Sequence, residues 1–130
     1  MNDSATPRPY EQWRKVPVDR AEDAAFTFGY YLMQHCRTEA LKASDFTMLP
    51  KTAHELDERV AQAVDITLYN LMDWLEGFWR TEAGPSHTAE YALSVCVKDA
   101  NGIAVERVDI SPSLLDLPIG YWKWKDGEFR

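Results

Sequence analysis

The chain has 130 residues, 45% of them hydrophobic and 27% charged, with a formal net charge of −7. That balance describes one globular domain with enough apolar mass for a core, five Trp among it. No apolar run reaches the ~18 residues a membrane span needs, and the acidic balance opposes nucleic acid and anionic membranes, which require a positive field.

Residues 1–18 combine Pro7, Pro9 and polar side chains without periodicity. They read as a flexible arm that docks only from Tyr10 or Trp13 onward. The remainder, 19–130, reads as one α+β domain. The arm lacks the apolar stretch of a secretory signal, so a cytoplasmic location is expected.

Asp19 followed by Glu22 reads as the capping start of a helix over 19–43. Ala25, Phe26, Gly29, Leu32, Met33, Cys36, Ala40 and Ala43 recur at helical steps as its expected inner face. Thr27, Tyr31, Gln34, His35, Thr38 and Lys42 fall on the expected outer face. Residues 44–51 (SDFTMLPK) break the pattern, with Phe46, Met48 and Leu49 expected to fold back over an antiparallel helix pair.

Thr52 and Glu55 form the T-x-x-E signature that opens a second helix, read over 53–82 with Gly84-Pro85 as its stop. At about 100° per residue, Leu56, Val60, Ala63, Val64, Thr67, Leu68, Leu71, Trp74, Leu75 and Phe78 share one wide arc. Thirty residues would reach about 45 Å, longer than the roughly 36 Å diameter of a domain this size. Ile66 and Tyr69 sit on the charged side with Asp73, and these three are the expected self-association surface.

Beyond His87 the period changes to two, giving expected strands over 89–98 and 103–111 around the Asn101-Gly102 turn. Placing that pair at the centre sets Leu93 opposite Ile110, Ser94 opposite Asp109, Val95 opposite Val108 and Cys96 opposite Arg107. One helical turn is read at 112–116 and a third strand at 119–125 (IGYWKWK). The expected fold is therefore α+β: two antiparallel helices packed on one face of a three-stranded antiparallel β-meander.

No zinc spacing, phosphate loop, nucleophile elbow or calcium loop occurs, so neither a metal, a cofactor nor catalysis is expected. His87, in a loop, and the aromatic run Tyr121, Trp122 and Trp124 are the candidate ligand-binding residues, since alternating aromatics on a strand can stack against a planar ligand. Cys36 and Cys96 read as separate small apolar residues. Together these features describe a protein that acts by protein–protein contact, as a homodimer. Two alternatives stand beside that reading: a small-molecule pocket between helices and sheet, and an acidic face for a basic protein.

Overall fold

In the computed structural model, which describes residues 6–44, 48–111 and 116–130, Pro17 takes the first position of α1 (Pro17–Tyr31). Its missing N–H is one of the donors a helix start leaves unpaired in any case, and its fixed φ suits a helix. The expected start at Asp19 is therefore two residues late. Asp19 and Glu22 do not cap the helix; both face Arg14. The helix continues through a π-helical stretch, Leu32–Thr38, in which the N–H of Glu39 reaches back five residues to the carbonyl of Gln34. It then closes as α2 (Glu39–Ala43).

The helix α3 (Ala53–Leu75) opens as its capping residues indicate. Thr52 Oγ1 accepts from the N–H of Glu55 at 3.0 Å, and Glu55 Oε2 accepts from the N–H of Lys51 at 2.7 Å. It stops seven residues before the expected end at 82. Gly77, at φ +88, donates to the carbonyl of Trp74, and Phe78 donates to that of Asp73. Those are the two bonds of a Schellman cap, which needs a left-handed residue at this position. At 23 residues α3 spans about 35 Å, so its length carries no argument for a partner.

The described chain divides into two compact units: residues 1–71 with 81–89, and residues 72–80 with 90–130. In the first, β1 (Thr81–Glu82) and β2 (Thr88–Ala89) form a small antiparallel hairpin. Tyr31 Oη donates to the carbonyl of Glu82 and accepts from its N–H, and the N–H of Tyr10 donates to Ala83. Among the described residues, the buried side chains of this unit are small or polar: Asp23, Thr27, Cys36, Ala40, Thr81 and Ala83. The buried side of α1 thus runs through Asp23 and Thr27, while Phe26 and Met33, expected inside, are about half exposed.

In the second unit, β3 (Leu93–Lys98) and β4 (Ala104–Ser111) pair antiparallel, with Ser94, Val95 and Cys96 opposite Asp109, Val108 and Arg107 as expected. Asp99 Oδ1 accepts from the N–H groups of Asn101 and Ile103 and holds the turn closed. The register slips twice. Beside the turn, Lys98 pairs with Ala104 because Gly102 donates to the Asp99 carbonyl and alone in the turn takes a positive φ, so Ala100-Asn101 rather than Asn101-Gly102 is the central pair. At the far end, Leu93 pairs with Ser111 rather than Ile110, its N–H donating to Ser111 Oγ. Trp74 is buried, edge-on to Trp79 and Tyr91.

The architecture is mixed α and β, but a three-stranded meander is absent among the described residues; the sheets are two hairpins. The segment read as a third strand is the helix α4 (Leu117–Lys125). Asp116 Oδ1 caps it by accepting from the N–H of Ile119, and Pro118 lies in its first turn. The helical turn read at 112–116 falls, apart from Asp116, outside the described residues, as does Phe46.

Candidate functional site

Three features of the first unit are candidates for function. The first is an uncovered apolar face. Helix α3 places Leu56, Val60, Val64 and Leu68 at successive four-residue steps, a stripe that drifts slowly around the helix. These side chains are 50, 55, 50 and 38% exposed. Leu56 and Val60 also line a groove of about 490 Å³ with Leu41, Met48, Leu49 and Ala63, and Leu41, Met48 and Leu49 are more than half exposed. An isolated exposed leucine is ordinary, but a contiguous run of this size on a chain with so few buried large side chains is not. Arg59 fixes the groove's edge by donating to the carbonyl of Met48. Ile66, Tyr69 and Asp73, the expected interface residues, are half-buried, as is Asp65.

The second feature is an ionic anchor. Asp23, 1% exposed, accepts from Arg14 through the backbone N–H, Nε and Nη2, and from Arg8 Nη1 at 3.0 Å. The Arg14 guanidinium beside it holds the Asp23 carboxyl well below the usual carboxylate range, although burial acts the other way. Hydrogen bonds from Arg14 to Asp23 and Glu22 likewise raise the Arg14 pKa. This anchor ties residues 8–14 to α1, so the arm is held from Arg8, two residues before the expected docking point at Tyr10. A cavity of about 840 Å³ lies against the anchor, lined by Thr6, Arg8, Gln12, Glu22, Phe26 and Tyr30 among others.

The third contains His87. Its Nδ1 lies 2.6 Å from Glu11 Oε1, and its ring stacks at a tilt on Tyr10 with centroids 4.6 Å apart. Tyr10 also meets Trp13 edge-on, and the Arg20 guanidinium covers both rings. The Glu11 backbone N–H and His87 lower the Glu11 pKa. Gly84, at φ +109, permits this contact, because a Cβ there would stand 2.7 Å from both Glu11 Oε2 and Pro9 Cβ.

The remaining expected ligand residues belong to the second unit. Helical geometry separates Trp122 and Trp124 by about 200°, so they share no face, as they would on a strand. Tyr121 packs edge-on to Trp122, and Lys125 Nζ sits 5.0 Å from the Trp122 ring centre. Both Trp side chains are near 40% exposed. Sequence reasoning missed Asp23, Arg8, Arg14 and Glu11, whose contacts span 9 to 76 residues.

Among the described residues, no helix is long and apolar enough to cross a membrane. Comparison with protein-family models, with curated proteins and with solved structures finds no match.

Proposed function

We propose that the protein acts by protein–protein contact and that its first partner is a second copy of itself, joined through the Leu56–Val60–Val64–Leu68 stripe of α3. The exposure of that stripe supports the reading. A helix face repeating at four-residue steps is self-complementary under a two-fold axis, the commonest symmetry of soluble assemblies. At roughly 90 Å² for a half-exposed Leu or Val, the four stripe residues with Leu41, Met48 and Leu49 offer on the order of 600 Å² per copy. A pair would bury about 1,200 Å², above the ~1,000 Å² a specific interface requires.

Salt dependence distinguishes a second copy from a basic partner. In α3, Glu55, Asp57, Glu58, Asp65 and Asp73 outnumber Arg59. Two copies therefore repel weakly and associate by apolar burial, which salt leaves intact or strengthens. A basic partner would dissociate as salt screens its attraction. The test is the solution mass of the Val60→Asp, Val64→Asp double variant. Both positions are half exposed, so the fold is expected to survive, and the variant is expected to be monomeric where the parent is dimeric. An unchanged dimer would overturn the assignment of the surface.

A further inference from the structure

The cavity beside the Asp23 anchor has an uneven distribution of unused polar groups. Asp23 and Arg14 neutralise each other through their several hydrogen bonds. Arg8 is then a cation with spare capacity. It is half exposed, and among the described residues it spends only Nη1, on Asp23, leaving Nε and Nη2 without a partner. Glu22 is the counterpart. It is half exposed and accepts from Arg14 through Oε1, while Oε2 has no partner among the described residues. Arg8 and Glu22 are linked through Asp23 and Arg14 by three contacts of 3.0, 2.8 and 3.0 Å. The bonded atoms Arg8 Nη1 and Glu22 Oε1 therefore stand no more than three hydrogen-bond lengths apart, and both side chains line one cavity.

The rest of the lining is apolar or neutral. Phe26 exposes more than half of its surface although it lines the cavity, and Tyr30 lies one helical turn further along α1. Pro7 and Pro9 contribute rigid walls, and the Gln12 amide is uncommitted among the described residues. About 840 Å³ falls in the range of small-molecule sites. An anion bound at Arg8 would face Glu22, and a cation bound at Glu22 would face Arg8. A ligand carrying both charges meets both groups, each through a charge-assisted hydrogen bond.

We infer that this cavity binds a small zwitterion with an apolar side chain, of amino-acid to dipeptide size, its carboxylate on Arg8, its ammonium on Glu22 and its apolar part against Phe26 and Tyr30. The inference is independent of self-association, because none of these residues lies on the α3 stripe.

Titration calorimetry of the full chain with the free dipeptide leucyl-phenylalanine tests it. Submillimolar binding is expected, with a loss of about tenfold or more when the probe is N-acetylated, and a similar loss when it is C-amidated. Arg8→Gln is expected to weaken the free dipeptide while leaving the amidated one little changed further, and Glu22→Gln to do the same for the acetylated one. The capped probes are compared on the unaltered chain, so they decide the matter even if Arg8→Gln disturbs the Asp23 anchor. No binding at about 10 mM, or equal binding of the doubly capped dipeptide, would overturn the assignment.

Discussion

Asp23 shows how one residue can set the path of a distant segment. A carboxylate this deeply buried is tolerated only when its charge is paired and its lone pairs are filled, and Arg14 and Arg8 supply both. Its lowered pKa fixes the sign of a pH effect. Stability from the ionised carboxylate is fully present above the unfolded-state value near ~3.9 and is lost as pH falls through it toward the lower folded value. Glu11, also lowered, acts in the same direction. The urea midpoint is thus expected to fall steeply below about pH 4, and Asp23→Asn is expected to lower the midpoint at neutral pH and flatten that acid limb. Gly84 is the second sensitive position. Gly84→Ala would add a Cβ into Pro9 and Glu11 at a positive φ, so a loss of about 2 kcal/mol is expected. Faster proteolysis around Glu11 is expected to accompany it, because the added Cβ displaces Pro9 and Glu11 while the Asp23 anchor still holds Arg8 and Arg14. Neither role is legible from the chain alone: Asp23 looks like one more acid on a helix, and Glu11 lies 76 residues from His87. His87 could be singled out as a loop histidine, but its partner could not.

At the scale of elements, the start of α3 proved more legible than its stop. Thr52 and Glu55 mark the beginning of α3 because capping is local chemistry, completed within four residues. Thr52→Ala is expected to cost about 1 kcal/mol by urea denaturation, with the fraying confined to the first turn of α3. The helix end required a choice between Gly77 and Gly84-Pro85, and the pair looked stronger because proline cannot continue a helix. Gly77 stops it first, by offering a left-handed cap to the carbonyls of Asp73 and Trp74. Centring the turn on Asn101-Gly102 predicted most of the β3–β4 register, although the turn itself is centred one residue earlier. The slip at Leu93 depended on a side-chain hydroxyl 18 residues away. In IGYWKWK the alternation of aromatic and basic residues argued for a strand, while Asp116 and Pro118 just ahead carried the signature of a helix start. Local capping prevailed over pattern there. Seven residues are too few for an alternating pattern to outweigh a cap.

For the molecule as a whole, the wide apolar arc of α3 was legible, and its length argument was not sound, because the helix ends early. The structure adds where the arc lies uncovered. Large apolar side chains stand half exposed along α3 and around its neighbouring groove, while, among the described residues, the buried positions of the same unit are occupied by Ala, Cys, Thr and Asp. Burial of large apolar groups is the main favourable term in folding, so a unit that leaves this many in water gains by covering them. The acidic surface makes the covering partner's charge the distinguishing variable. Sedimentation equilibrium of the unaltered chain, over a range of protein concentrations and at low and high salt, measures both at once. Self-association through α3 requires a mass of twice 14.9 kDa at micromolar concentration, retained or strengthened in about 0.5 M salt as repulsion between the acidic copies is screened. A single-copy mass persisting to about 100 µM at both salt concentrations would contradict it.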